Sequence, residues 1–423
     1  MPGDVEEDHT MRPIVKLTAA TAAVLAAGAI GLQGPASATS PSTASSHRGD
    51  GGNVAFVHAN YHAVRACGAR TPAGHAGCDA LRLAPNQGSR VSPTAATGVT
   101  PANIQAAYKL TGLNAGGRTV AIVDAFGYPR AATDLATFRS HYGLSACTKA
   151  NGCLRIINQK GGTTPPPFNL GWAQEQALDL QAVSAACPTC KILLVQTTNN
   201  SFANLGAGVN RAAKTAGVVA ISNSYSGGDN PDSSLGHFYN HPGIAVTAST
   251  GDNGYLGSGT APYPADSAYV TGVGGTTLVK ATNSRGWSET AWNGAGSGCS
   301  AFNTAPTGQT FAMTSCAKHA VADVSAVADP SSGLIIFAPT SQTSSTWQQF
   351  GGTSLSSPIV AAVYALSGHT TGYANAIPYA HTSGLFDVTS GSNGSCAPTV
   401  WCNAGTGWDG PTGLGTPNGT SAF

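Results

Sequence analysis

Gly351-Gly352-Thr353-Ser354-Leu355-Ser356-Ser357-Pro358, ahead of the apolar run 359–366, puts a hydroxyl where it could act as a nucleophile. The two glycines let the backbone turn tightly. Thr353 or Ser354 can cap the helix that the apolar run then forms. Backbone N–H groups at such an N-terminus can hold a developing oxyanion, which is where a serine nucleophile is useful. An ordinary loop-to-helix cap has the same composition, and this stretch alone does not separate the two.

Carboxylates elsewhere bear on the choice. Glu175 and Asp179 are four apart on an expected helix over 172–186, so they lie one above the other. Like charges at that spacing cost an exposed helix a few tenths of a kcal/mol. A solvated acidic face is the bland reading. The neighbours Ala177, Leu178, Leu180, Ala182 and Val183 instead make the helix mostly apolar. Two stacked carboxylates there suggest a base and its partner sharing a proton. Gly251-Asp252-Asn253-Gly254 directly follows an expected strand over 244–248. Ligands of open α/β sheets bind beyond the carboxyl ends of strands, although turn propensity alone could also explain this tetrapeptide.

The elements that must position these groups are legible from Gly98 onward. Thr100-Pro101 makes an N-cap followed by proline in the first turn, leading 102–110 into a helix. Strands are expected at 119–124, 154–157, 191–195, 218–221 and 244–248. Helices are expected at 131–141, 172–186 and 202–216. Short apolar strands alternating with helices argue for an α/β fold with a parallel sheet covered on both faces. After Gly251 the chain is rich in Gly, Ser and Thr, with strands near 269–273 and 334–337, then the helix after Ser354 and a loop-rich tail. There is no internal repeat and no second domain of comparable size.

Taken in order, the constellation resembles a known family. Glu175-x-x-x-Asp179, Ser222-Asn223-Ser224-Tyr225 after a strand, Ser249-Thr250-Gly251-Asp252 and Gly352-Thr353-Ser354-x-x-x-Pro358 resemble the sedolisin family of serine-carboxyl peptidases over 99–423. Trp172 ahead of Glu175 and the strand 191–195 behind Asp179 sit as they do in that family. The resemblance implies a subtilisin-like fold, a mostly parallel central β-sheet flanked by helices on both faces. It implies a serine-type endopeptidase acting on protein or peptide substrates, with Ser354 as nucleophile, Glu175 as general base, Asp179 as its partner and Asp252 at the oxyanion. A carboxylate beside an oxyanion would repel it, so Asp252 must be protonated to donate a hydrogen bond. A carboxylate base also works best in acid, so the expected pH profile is bell-shaped with an optimum below neutrality.

The tail adds a second match. Asp387-Val388 and Gly405-Thr406-Gly407-Trp408-Asp409 resemble the family's calcium site. The resemblance implies one structural Ca2+ held by the carboxylates of Asp387 and Asp409 and the carbonyl oxygens of Val388, Gly405 and Gly407. Such an oxygen set suits a hard cation; a glycine-rich surface loop is the alternative.

Composition narrows the setting. Only 9% of the 423 residues are charged, and the net charge of +1 gives no reason to expect nucleic acid or an anionic membrane as partner. The expected protein is a monomer. Ten cysteines fall into five sequence-adjacent couples, which in an exported protein reads as five local disulfides. Cys187-Pro188-Thr189-Cys190 also fits a redox motif or half a zinc site, but no second Cys-x-x-Cys or His-x-x-x-His completes a cage.

Export is signalled by Arg12 and Lys16, an apolar run over 17–32 and Ala36-Ser37-Ala38, with translation beginning at Met11. That gives an export signal over 1–38, a short N-terminal extension or pro-region over 39–98, a peptidase domain over 99–423, and a secreted product not held by a membrane after signal removal. Here the chain departs from the family, whose members usually carry a long folded inhibitory prodomain; about sixty residues separate Ala38 from Gly98.

Two rivals stand. A subtilisin-type serine peptidase would use Asp124, at the end of the strand Thr119-Val120-Ala121-Ile122-Val123-Asp124, but no histidine follows it in a His-Gly-Thr helix start. His141, His237 and His241 have no such context. A non-catalytic secreted binding protein on a peptidase scaffold draws support only from the short N-terminal segment. Intact Glu175, Asp179, Asp252 and Ser354 oppose it.

Overall fold

The computed structural model describes residues 60–68, 71–86, 98–368 and 371–423. The expected export signal lies outside the described residues, as does part of the 39–98 segment. Within that segment three short strands form: β1 (Tyr61–Arg65), β2 (Gly77–Cys78) and β3 (Leu81–Pro85).

The central sheet is built on β4 (Thr119–Ala125), whose residues from Val120 to Ala125 are all buried. A strand apolar on both faces needs cover on both, as in parallel sheets. It lies between β6 (Lys191–Thr197) and β7 (Val218–Asn223), with β5 (Leu154–Asn158) beyond β6 and β9 (Ala245–Ser249) beyond β7, all parallel. Val120 sits opposite Ile192 on one side and Ala220 on the other. Thr271–Lys280 continues the sheet parallel to β9, Val324–Val327 pairs with it in parallel, and only the edge strand Trp287–Ala291 is antiparallel. A short β8 (Tyr225–Ser226) follows β7. The mostly parallel α/β architecture expected from the alternation is therefore present.

Helices α1 (Pro101–Ala107), α2 (Ala131–His141), α3 (Leu170–Ala186) and α4 (Phe202–Ala213) flank the sheet. Thr100 caps α1 through a reciprocal pair: Asn103 N donates to its hydroxyl, and Thr100 N donates to Asn103 Oδ1. α4 approaches β4 and β6 so closely that a Cβ on Gly208 would press on Val123 and Thr197. α3 packs on the other face, against β4 and the helix Thr353–Ser367. Every α3 residue from Trp172 to Ala186 is buried, the condition of a helix covered all round.

A second, antiparallel sheet escaped the sequence reading. Leu334–Pro339, Ser345–Gly351, β3 and β1 pair in that order. Ser-Thr-Trp-Gln-Gln-Phe-Gly at 345–351 has no apolar alternation to announce a strand, and tertiary pairing fixes it. All five expected disulfides are present: Cys67–Cys78, Cys147–Cys153, Cys187–Cys190, Cys299–Cys316 and Cys396–Cys402. Cys187–Cys190 closes the turn between α3 and β6, so the Cys-x-x-Cys is a staple here. No helix among the described residues is long and apolar enough to cross a membrane.

Candidate active site

The carboxyl ends of β4, β7 and β9 bring the chemistry together. Ser354 is the second residue of Thr353–Ser367, entered through Gly352 at φ +93°. Neither Thr353 nor Ser354 caps this helix, contrary to the sequence expectation. The cap comes from across the site: Thr353 N and Thr353 Oγ1 both donate to Asp252 Oδ1, at 2.8 and 2.9 Å. A carboxyl group can reach the first turn only because Gly352 leaves room, since a Cβ there would press on Asp252 Oδ2. Pro358 lacks the N–H that would satisfy the Ser354 carbonyl; Ser224 Oγ lies 3.3 Å from that carbonyl.

Ser354 Oγ donates to Glu175 Oε2 at 2.8 Å. Ser224 Oγ also donates to Asp179 Oδ1 at 2.9 Å, so the residue that follows β7 touches both the nucleophile's residue and the carboxyl pair. All four sequence-predicted site residues, Ser354, Glu175, Asp179 and Asp252, are fully buried. The hydroxyl of Ser354 meets a carboxylate, not an imidazole, which removes the geometric basis of a subtilisin arrangement.

The carboxyls are not all ionised. Glu175 Oε1, Asp179 Oδ2, Asp252 Oδ2 and both oxygens of Asp124 are buried and accept no hydrogen bond from the described residues. Burial pushes Glu175 up strongly, and neighbouring Asp179 and Asp124 push it further, against the Ser354 hydrogen bond. Burial also raises Asp179, which shares a hydrogen bond with Glu175 that must carry a proton. Asp124 rises through burial and then through Asp179. Burial and mutual repulsion thus favour the protonated forms of Glu175, Asp179 and Asp124. Asp124, which the sequence offers as a possible subtilisin aspartate, is a buried neighbour of this carboxyl pair.

Asp252 is separate. Burial raises it, nearby Asp79 raises it again, and the two Thr353 bonds oppose. Oδ1 accepts from Thr353, so a proton belongs on Oδ2, which adjoins the Ser354 N-terminal turn. Arg65 of β1 donates to the Asp252 carbonyl at 3.0 Å and to Asn253 Oδ1 at 2.7 Å.

Asp79 was missed in sequence. Its carboxylate accepts from Ser226 Oγ at 2.9 Å and Ser249 Oγ at 2.7 Å, and burial raises it to about 6. Nothing in Cys78-Asp79-Ala80 announces a site residue; only the folding of β2 and β3 onto the catalytic face places it there.

In the tail, Gly407 N donates to Asp387 Oδ2 at 2.9 Å and Gly405 N to Asp409 Oδ2 at 3.2 Å. Thr412 N and Oγ1 both donate to Asp409 Oδ1. The 405–409 loop thus closes on two carboxylates. Burial pushes Asp409 up to about 7, with Asp387 adding to the rise. No cluster of three or more His, Cys, Asp or Glu suited to a metal occurs among the described residues. Two carboxylates from separate stretches of chain are oxygen donors, the type that suits a hard cation.

Comparison with known proteins agrees with this geometry. No profile of a protein family matches the chain. Kumamolisin from Bacillus sp. (strain MN-32) is 29% identical over 363 residues, spanning 78% of this chain. The chain spans 64% of the length of that relative. Among solved structures, Pseudomonas sedolisin, a serine-carboxyl proteinase complexed with two molecules of pseudo-iodotyrostatin, superposes with a TM-score of 0.64 at 25% identity. That match covers 76% of this chain and 96% of the other.

Proposed function

We propose that the chain is a member of the sedolisin family, a secreted serine-carboxyl endopeptidase that hydrolyses proteins or peptides in acid; its likeness to kumamolisin and to Pseudomonas sedolisin supports this. The 2.8 Å hydrogen bond from Ser354 Oγ to Glu175 Oε2 carries this reading. Ser354 Oγ attacks the substrate carbonyl carbon while Glu175 takes its proton. Asp179 and, behind it, Asp124 keep the base positioned and share its proton. The oxyanion forms between the Ser354 N–H and the protonated Asp252 Oδ2. Loss of the amine leaves an ester on Ser354, and water activated by Glu175 releases the acid. Neutral Asp252 requires acid and an ionised Glu175 Oε2 requires its proton gone, which gives a bell-shaped profile.

Calcium belongs to the same proposal. Asp387 and Asp409, with the carbonyl oxygens of Val388, Gly405 and Gly407, would hold one Ca2+, whose role is to fasten the tail loop. Support comes from the loop folding onto two carboxylates that no described basic side chain pairs with. Secretion of a monomer after removal of an export signal over 1–38, with a peptidase domain over 99–423, accords with five disulfides in so charge-poor a chain.

The test is hydrolysis of denatured casein from about pH 3 to pH 8, comparing the chain with Ser354→Ala and Glu175→Gln. Acid-optimal cleavage abolished by both substitutions supports the mechanism. Cleavage that survives Glu175→Gln overturns it.

A further inference from the structure

A cavity of about 560 Å³ adjoins the catalytic groups: Ser226, two residues after Ser224, and Gly251, just before Asp252, line it together with Asp229, Pro262 and Phe302. The last three come from separate stretches of chain. Gly227, next after β8, exchanges two backbone hydrogen bonds with Tyr263, at 3.0 and 3.2 Å. Ala301 N donates to Asp229 Oδ2 at 2.7 Å, and Ser300 Oγ lies 3.2 and 3.4 Å from the two Asp229 oxygens. Phe302 N and Asn303 N both donate to that same hydroxyl, at 3.1 and 3.0 Å. Asn303 Nδ2 donates to the Asn230 carbonyl at 2.9 Å and to Asp266 Oδ2 at 3.1 Å. The three walls are thus knotted together around Asp229 and Asp266.

The knot is short of one proton donor. Asp266 is fully buried, and its Oδ1 accepts no hydrogen bond from the described residues. Its carboxyl lies within hydrogen-bond reach of Asp229. Ionised carboxyls only accept, so a bond between the two requires a proton on one of them. The described ion pairs engage Asp134, Glu289 and Asp323 and bring no cation to either group. Burial pushes Asp266 well up, the hydrogen bond and charge of Asp229 push it further, and Ser300 and Asn303 oppose. The other titratable groups around Asp266 have partners of their own. Asp232 accepts from Ala268 N and from Tyr263 OH, whose phenol burial keeps neutral. His319 turns Nε2 to Asp323 Oδ1 at 3.3 Å. Elsewhere on the cavity wall, Arg65 bonds to Asn253 and the Asp252 carbonyl, and Asp79 to Ser226 and Ser249.

We propose that Asp266 and Asp229 are positioning residues that share one proton, and that this carboxyl–carboxyl bond holds the Asp229, Pro262 and Phe302 walls in the shape that binds substrate. This rests on the peptidase reading. With the proton in place, Asp266 donates to Asp229 and ties the 229–232 and 300–303 stretches to 262–266. Once it is lost, two close carboxylates repel each other in a buried setting and the walls part. The Gly227–Tyr263 bridge contains no titratable group, so the loosening stays at the Asp229 end. Ser354 and Glu175 stand on other elements. Substrate binding therefore weakens as pH rises, while the chemical step follows Asp252 and Glu175.

The experiment is steady-state kinetics of the full chain on a peptide substrate from about pH 4 to about pH 8, beside Asp266→Asn and Asp266→Ala. Asn keeps the bond, its amide N–H₂ donating to Asp229, and has no proton to lose over this range. Wild-type KM should rise about tenfold across it, the loss of one charge-assisted hydrogen bond. KM of Asp266→Asn should stay flat and that of Asp266→Ala should be high throughout, with kcat keeping one pH profile in all three. A flat wild-type KM, or one that rises as steeply in Asp266→Asn, overturns the inference and leaves the peptidase standing. Asp229→Asn keeps the bond from the other side and serves where Asp266→Asn fails to fold by circular dichroism. Tm in the Ser354→Ala background gives a readout without turnover. The Asp266 contribution is complete below its unfolded value and lost as pH rises, so adding Asp266→Asn should flatten the fall of Tm with pH. Parallel Tm curves overturn the shared proton even in a chain without peptidase activity, a lack that would remove the proposed function separately.

Discussion

Ser354 Oγ donates its hydrogen bond to Glu175 Oε2 at 2.8 Å, and Asp179, one helical turn further along α3, shares a hydrogen bond with the same glutamate. As the proposed base, a glutamate on a fully buried helix has little rotational freedom to lose in the reaction. It also has no solvent to compete for its proton.

Ser354→Ala should lower kcat by about 10⁶ and Glu175→Gln by about 10⁴ or more, by analogy with other serine hydrolases whose catalytic groups act as a unit. Because they act as a unit, the double variant should be no slower than Ser354→Ala. Steady-state kinetics on a peptide substrate check this. A double variant slower by the product of the two single losses would mean that Glu175 works independently of Ser354.

Asp252 separates two substitutions that are often treated alike. Its Oδ1 accepts from Thr353 N and Oγ1, while Oδ2 is the atom that must donate. Asn can reproduce both roles, with its amide N–H₂ replacing the protonated oxygen, and it stays neutral at every pH. Asp252→Ala should cost about 10²–10³ in kcat, the usual loss of one oxyanion donor. Asp252→Asn should cost less, and the fall in activity on the alkaline side should move to higher pH. An unchanged alkaline limb in Asp252→Asn would take Asp252 out of the pH dependence.

Much of this was readable in the sequence because the pieces are local. Glu175 and Asp179 announce themselves by four-residue spacing on an apolar helix, and Ser354 by glycines ahead of an apolar run. The parallel strands carry their own apolar signature. What could not be read depends on distant pairing. The sequence offers Thr353 or Ser354 as the cap of the Ser354 helix, yet the cap comes from Asp252, which bonds Thr353 N from 101 residues away. Asp79 reaches the site only because β3 pairs with Ser345–Gly351, a polar segment with no strand pattern. Asp124 looked like a rival's catalytic residue because a strand-end aspartate says nothing about whether an imidazole or a carboxyl faces it.

The buried carboxyls also set the direction of stability with pH. Asp79, Glu175, Asp179 and Asp252 all hold protons more tightly in the fold than in the unfolded chain. Their contribution is complete below the unfolded value near ~4 and is lost as pH rises through the folded values, which for Asp79 is about 6. For Asp79 alone the loss is on the order of 3 kcal/mol. Measured on Ser354→Ala, so that the chain stays whole, and with EDTA present, Tm should fall between about pH 4 and pH 7. Asp79→Asn should flatten part of that fall. A Tm that climbs across the same interval would contradict the assignment of these groups as neutral in the fold.

The tail loop offers a test that does not involve catalysis. Asp409 is buried and bonded to Gly405 N and Thr412, and Asp387, from a separate stretch of chain, is bonded to Gly407 N. A cation between them would tie both segments together and offset the repulsion between their charges. Ca2+ should therefore raise Tm, with a ligand at a hundred times its Kd contributing about 2.7 kcal/mol. Mg2+ should do much less, because it demands a tight octahedron and gives up water reluctantly. Asp387→Asn serves better than Asp409→Asn as the diagnostic variant: Asp387 is exposed, so its loss leaves the buried hydrogen bonds of Asp409 in place. In Asp387→Asn the Tm without calcium should stay near wild type while the gain on adding Ca2+ shrinks. A gain that persists undiminished in both Asp387→Asn and Asp409→Asn would place any calcium effect elsewhere in the molecule.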